Sequence, residues 1–429
     1  MGISSNIKYT FLARCFNFVV MLTSSIIVAR YLGPTGKGLY TLYFIISNMI
    51  MNFMELGLGD ATIYVINNKK YQTESIIFAN LTMVMLLSLG GMVIAIGVFA
   101  SGIFSEMTLS NTSLLVLLLL AIPLFFVRKH LLDLLRAQSA FAKYNTIIII
   151  EESSYLFILL CLLIFVKIEL NYVLILYLVN TLFIILLTLK YLKLSSTIIA
   201  YKVNLSYVRE VMLYGLKIHA GNIFRTLNYR LDSLIVGMFF SLAVVGYYSI
   251  ATSLVQTAML IGYSIGTVIL PVISKVGFAD DKYIIIPILR VTIFISVLFC
   301  AAVYGFGSMF IKLCFGQAFI PAVEPLYIMA PTAIFTNVSL ILSYYYVGTG
   351  RGVISSYSSV ILVLTTAIFA LLLIPHWGIR GAALAVTMSS LVQALYLFLT
   401  LKKDGSYGFG ELLIPRKSDL MHVRKQILG

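Results

Sequence analysis

Five ionisable side chains stand inside one otherwise apolar stretch, YGLKIHAGNIFRTLNYRLDSLIVGMFF: Lys217, His219, Arg225, Arg230 and Asp232. A charge in hydrocarbon costs about 2.5–3.5 kcal/mol on insertion scales unless it meets a partner or a wet cavity, so such residues mark a substrate or ion path by default. At 100° per residue, Arg225 and Asp232 fall about 20° apart around a helix, as do His219 and Arg230, and the two pairs lie on different faces. One face is partly self-neutralised and the other is cationic. Guanidinium forks suit bidentate contact with phosphate. Two readings stay open: a cavity lined for an anionic ligand, or a structural set in which Lys217 snorkels to the surface and Arg225 pairs with Asp232.

Further charges fall near span ends. Arg14 lies a third of the way into the first apolar run, and an offset of 208 residues sets it opposite Asn222, one turn from Arg225. The two helices would then each bring a guanidinium to the cytoplasmic half of the cleft, unless Arg14 snorkels to headgroups. Glu55 and Asp60 close the second run in FMELGLGDATIY, where Gly57 and Gly59 weaken the helix. These acids could pair with Arg14 or bind a coupling cation. Glu151 and Glu152 open the fifth run, and adjacent carboxylates point to different faces, so at most one faces a cavity. Ion coupling or charge pairing is thus the expected work of Glu55, Asp60, Glu151 and Asp232. No HExxH, nucleotide-binding loop or nucleophile elbow occurs, and the four histidines are scattered. No catalytic residue, metal or cofactor is expected.

The elements that must hold these residues follow from composition. Of 429 residues, 61% are apolar and 11% charged, against about 25% charged in a soluble domain. Runs long enough to cross a bilayer fall at about 9–29, 39–60, 75–100, 112–135, 145–166, 171–190, 211–239, 246–270, 284–308, 325–347, 357–374 and 379–401. The first run is too long for a cleaved signal peptide and carries Arg14. The expected fold is an all-α polytopic membrane protein of about twelve transmembrane helices in two six-helix lobes, 1–200 and 201–402, with a cytoplasmic tail at 403–429. An internal repeat relates the lobes: the 208-residue offset also brings Gly38 and Tyr40 onto Gly246 and Tyr248. The net charge of +14 has a topological origin rather than nucleic acid as a partner. With the N-terminus inside, 21 Lys and Arg residues fall on the cytoplasmic side and five on the other. Both termini are therefore expected in the cytoplasm. Cys15, Cys161, Cys300 and Cys314 form no metal-spaced set and read as core residues. Gly262 and Gly266 form a GxxxG that reads as close helix packing.

The segment VARYLGPTGKGLYTLYFIISNMIMNFMELGLGDATIYVI resembles the opening of bacterial polysaccharide-unit flippases, the O-antigen and capsule exporters. LDSLIVGMFFSLAVVGYYSIATSLVQ, LCFGQAFIPAVEPLYIMAP and GIRGAALAVTMSSLVQALY are similar to later parts of that family. The resemblance covers about residues 8–402. It implies the fold of the multidrug/oligosaccharidyl-lipid/polysaccharide exporter superfamily, working by alternating access in the bacterial inner membrane. The implied cargo is an undecaprenyl-diphosphate-linked oligosaccharide, with membrane lipids and possible polymerase and chain-length proteins as partners. Arg14, Arg225 and Arg230 carry over by cationic character alone. A multidrug-type cation antiporter of the same superfamily and a membrane polysaccharide polymerase are the alternatives.

A cysteine placed at position 196 or 406 of a cysteine-free variant should resist membrane-impermeant maleimide in intact cells and react after permeabilisation. Labelling from outside would invert the topology.

Overall fold

The computed structural model describes residues 3–67, 73–104, 112–138, 140–165, 169–192, 203–276 and 282–404, and every regular element among them is helical. In a bilayer an unpaired backbone N–H or C=O has no water to turn to, so apolar runs of this length close their hydrogen bonds within helices. The helices are α1 (Ile3–Met54), α2 (Leu58–Asn67), α3 (Thr73–Ala100), α4 (Thr112–Ala137), α5 (Phe141–Phe165), α6 (Leu170–Tyr191) and α7 (Leu205–Phe239). They continue as α8 (Leu242–Thr257), α9 (Met259–Val276), α10 (Lys282–Cys314), α11 (Val323–Met329), α12 (Thr332–Gly348) and α13 (Gly352–Asp404). Among the described residues, eight helices are long and apolar enough to cross a membrane, or nine if the bent pair Gln317–Met329 and Thr332–Gly348 forms one span. Two of the eight are of double length. α1 breaks at Gly33 (φ 66°, ψ −177°) just before Pro34, and α13 breaks at Gly378 (φ 58°, ψ −134°) just after Pro375. Proline cannot donate into the preceding turn, and glycine alone accepts such angles cheaply.

Packing divides the chain into two compact units. The first holds residues up to Thr226 with Ser241–Ala243, and the second holds Leu227–Phe240 and everything from Val244. The division falls inside α7, so Lys217 and His219 belong to the first unit and Arg230 and Asp232 to the second. In the first unit α4 lies centrally, against α2, α3 and α6, while α5 packs on α1. The start of α7 belongs to the same body. Asn204 Oδ1 accepts from the backbone N–H groups of Ser206 and Tyr207 at 3.0 and 3.2 Å and caps the helix. Tyr207 then donates to Asn80 Oδ1 at 2.8 Å, and Asn80 donates to Thr62 Oγ1 at 3.1 Å. Between α1 and α2 the chain turns through Leu56 (φ 50°) and Gly57 (φ 72°). A Cβ on Gly57 would collide with the carbonyl of Gly215, so α7 passes backbone to backbone at this turn. The weakened segment expected around Glu55–Asp60 is this break, although Gly59 itself lies in α2.

In the second unit α12 is the hub, packed on α9, α10 and α13. Ile269, Ile273, Ile285, Leu289, Ile341, Tyr345, Tyr346 and Leu397 build its apolar centre. Gly262 and Gly266 let α9 close on α12, because side chains there would meet Asn337 and Tyr344. Asn337 is fully buried and joins three helices. Its amide donates to the Ala258 carbonyl at the α8–α9 break and to Ser296 Oγ of α10, both at 3.0 Å, and its Oδ1 accepts from Gly262 N at 3.1 Å. Gly262 sits in the first turn of α9, where backbone donors lack helical partners. The cysteines depart from the core reading in part: Cys300 is buried, donating to the Ala330 carbonyl, whereas Cys161 and Cys314 are only half-buried. The side chain of Cys15 lies outside the described residues.

Replacing Asn337 with Leu keeps the branched four-heavy-atom shape, with more bulk, and removes three hydrogen bonds. At about 0.6 kcal/mol each for interhelical bonds in membranes, the loss should be about 2 kcal/mol, read as a lowered unfolding temperature in detergent.

Candidate functional site

Two groups of charged residues bear on function, apart from buried Lys37 and Arg290. The first surrounds α4. Its sequence VRKHLLDLLRA continues the helix beyond the apolar run, and Lys129, Asp133 and Arg136 share one stripe by their spacing of four and three. Lys129 pairs with Glu55 at the end of α1 and also reaches Asn52 Oδ1 at 3.3 Å. Arg136 pairs with Asp133 on its own helix and lies over the Tyr144 ring, 5.7 Å from its centroid. Arg128, one residue before Lys129, reaches across to Glu151 of α5 at 2.5 Å. The Glu151 backbone carbonyl accepts from Asn180 and Ser154, both at 3.1 Å, and Ser154 donates to Asn180 Oδ1 at 2.7 Å. Three cations thus have three carboxylates, with Glu152 and Asp60 within electrostatic reach of the same set. His130 is buried beside them, with Nε2 unpartnered. A side chain on Gly59 would run into the carboxylates of both Asp133 and Glu55, which is why the ladder needs glycine there.

A second polar feature of the same unit is Lys37. It is buried, donates to Ser25 Oγ at 2.9 Å and lies over the Tyr40 ring, 5.0 Å from its centroid. Tyr40 and Tyr155 share a hydroxyl contact at 3.4 Å, and the rings of Phe44, Phe125, Tyr155 and Tyr177 pack around them, mostly edge-on. Such pairs contribute about 0.5–1.5 kcal/mol each beyond their burial.

α7 carries the other group. Lys217 and Arg230 are exposed, and neither makes an ion pair among the described residues. His219 is buried with Nδ1 unpartnered. Asp232 accepts a hydrogen bond from Tyr248 of α8 at 2.9 Å. The side chains of Arg14 and Arg225 lie outside the described residues, and with them the expected Arg225–Asp232 pair. Glu55 turns to Lys129, and Glu151 to Arg128. Asp60 is exposed, within electrostatic reach of Asp133 and Arg136. Sequence reasoning overlooked Arg128, Lys129, Asp133 and Arg136 as a structured set, because Arg128, Lys129 and Arg136 were counted as connection residues. Their helical spacing, including the Asp133–Arg136 pair three apart, is the signal that could have found them. Among the described residues no group of three His, Cys, Asp or Glu side chains could hold a metal ion.

These helices and breaks define the class. The fold is that of polytopic α-helical transporters: a solved structure described as the lipid II flippase MurJ, inward closed conformation, superposes with a TM-score of 0.72 at 15% identity, covering 98% of this chain and 96% of that one. An inward-facing multidrug resistance MATE family transporter of the MOP superfamily gives 0.72 at 13% identity, covering 91% and 95%. The family is narrower than the fold. A family described as polysaccharide biosynthesis protein matches residues 27–324, and the chain belongs to it. The capsular polysaccharide biosynthesis protein CapF of Staphylococcus aureus is 23% identical over 207 residues, 47% of this chain and 52% of CapF, so the match spans about half of that relative's length.

The two groups should separate in stability measurements. Glu151→Ala leaves Arg128 without its partner and should cost about 3 kcal/mol. Lys217→Ala breaks no contact and should stay within about 0.5 kcal/mol of wild type by thermal unfolding in detergent.

Proposed function

We propose that this chain is a flippase that moves an undecaprenyl-diphosphate-linked oligosaccharide from the cytoplasmic to the periplasmic leaflet of the bacterial inner membrane, for O-antigen or capsule synthesis. In this reading the double-length helices α1 and α13 each cross twice, α7 crosses despite its charges, and twelve spans form two six-helix lobes over about 1–200 and 201–402. The lobes work by alternating access, with both termini and the 403–429 tail in the cytoplasm. A polymerase and chain-length proteins would take the delivered unit onward.

One observation carries the reading. The cations of α4 are each neutralised by a carboxylate, whereas Lys217 and Arg230 of α7 stand exposed without an ion pair among the described residues. An unpaired cation on a bundle helix is tolerated where it meets water or an anion, and a lipid-linked diphosphate is such an anion. Arg14, Arg225 and His219 join Lys217 and Arg230 as its proposed binding set. The membership in a polysaccharide biosynthesis family supplies the glycan. Glu55 and Glu151 pair with Lys129 and Arg128, and Asp60 and Asp232 are the proposed ion-coupling residues. That pairing weighs against a multidrug antiporter, which needs open carboxylates for cationic drugs.

Arg225→Ala or Arg230→Ala should abolish surface polysaccharide with near-normal protein in the membrane. Lys at either position should rescue only partly, because it lacks the planar fork. In reconstituted vesicles, wild-type protein should expose a defined lipid-linked oligosaccharide on the opposite leaflet; equal rates with Ala at 217, 225 and 230 would return α7 to a structural role. An Arg14→Ala/Arg225→Ala double variant should bind this lipid little worse than the poorer single one, since contacts to one shared diphosphate are not additive.

A further inference from the structure

On the first unit, Tyr64 of α2 and Tyr214 of α7 stack face to face, with ring centroids 4.3 Å apart and planes 3° from parallel. Tyr64 is nevertheless 47% exposed. A ring covered on one side by Tyr214 and still exposed to this degree has its other face open. The α2–α7 junction does not depend on these rings, because the Gly57–Gly215 backbone approach and the Tyr207–Asn80–Thr62 hydrogen bonds already fasten it. Elsewhere in this unit, tyrosines pack tilted or edge-on inside the aromatic core. The flat, half-open stack is a different arrangement.

What surrounds the stack indicates what could cover it. Lys217 follows Tyr214 by three residues, which places both on one face of α7 with Cβ atoms about 5–6 Å apart. Its ammonium is exposed and makes no ion pair among the described residues. Asp60 precedes Tyr64 by four residues, so an exposed carboxylate lies one turn away on α2. The Gly57–Gly215 contact and the Tyr207–Asn80–Thr62 bonds set α2 and α7 antiparallel here, so Lys217 and Asp60 both lie one turn from the stack toward Gly57 and Gly215. An open aromatic face with a cation and a carboxylate beside it fits a sugar phosphate. The C–H face of a pyranose is apolar and stacks on an aromatic ring, its hydroxyls donate to a carboxylate, and its anomeric phosphate is an anion.

We propose that Tyr64 and Tyr214 form the stacking platform for the sugar bonded directly to the diphosphate of the cargo, with Lys217 holding the diphosphate and Asp60 a ring hydroxyl. The inference rests on the reading that the cargo is a lipid-linked glycan, and it adds where the reducing-end sugar sits. The spacing suits the chemistry, because that sugar and its phosphate are covalent neighbours, as Tyr214 and Lys217 are neighbours on one helical face. Selection then acts on the first sugar, and the rest of the glycan is free to differ.

The test is binding by the full chain in lipid nanodiscs. The probes are undecaprenyl diphosphate alone, the same lipid bearing one N-acetylglucosamine, and the same lipid bearing one galactose. Wild type should bind at least one glycosylated lipid about tenfold more tightly than the bare lipid. Tyr64→Ala should lose that preference, as should Tyr64→Leu, which keeps apolar bulk without a π face, while both weaken the bare lipid less than about twofold. Tyr64→Phe should retain most of the preference. Unfolding temperatures measured on the same samples separate lost binding from lost structure, and Tyr64→Leu serves if Tyr64→Ala proves unstable. Equal weakening of all three probes, as expected if Tyr64 only anchors at the membrane interface, would overturn the platform. So would a Phe variant as poor as Ala, or a wild type with no preference for either sugar. A wild type that binds none of the three lipids would refute the flippase reading itself, and the platform with it.

Discussion

The dominant constraint on this protein is that a charge inside an apolar bundle must be compensated. Hydrocarbon offers it nothing, and the cost of an unpaired ion is comparable to much of a domain's net stability. Around α4 the constraint is met by pairing: Arg128 with Glu151, Lys129 with Glu55 and Arg136 with Asp133. These pairs tie α4 to the end of α1 and to α5. The turn through Leu56 and Gly57, the glycine at position 59 and the close passage of α7 follow from the need to bring those partners within reach.

Where compensation is not internal, the residue becomes informative. Lys217 and Arg230 make no close ion pair among the described residues, although Asp232 lies within electrostatic reach of Arg230, and His219 keeps a ring nitrogen without a partner. Stability alone gives no reason to retain such groups, since a neutral side chain would be cheaper. The proposed anionic cargo would give one.

Broken helices are the second device of the fold. α1 and α13 break at Gly33 and Gly378, α8 gives way to α9 at Ala258, and α12 begins after Ala330 and Pro331. A freed carbonyl at membrane depth needs a donor, and Asn337 and Cys300 provide two of them. Asn337 accordingly ties three helices of the second unit together. The MurJ and MATE structures match the fold at only 15% and 13% identity, as expected where apolar length and small-residue contacts, rather than particular residues, build it.

The sequence by itself determined the helical class, because runs of about 20 apolar residues in a chain with 11% charge admit little else. It also determined the family, through LGPTGKGLY and ELGLG, and singled out α7 by its cluster of charges. What it could not determine was partnership. Glu55 and Lys129 are 74 residues apart and Arg128 and Glu151 are 23 apart, and no periodicity says which helices will be neighbours. Arg14 was the nearest plausible partner for Glu55 on paper, and the fold offered Lys129 instead. The double-length helices show the same limit from the other side: the sequence separated the runs 9–29 and 39–60, and 357–374 and 379–401, while the continuous helical paths through Gly33 and Gly378 emerged only in the fold. Tertiary structure decided which charges are silenced and which stay open, since compensation is a matter of distance in space and the sequence records distance only along the chain.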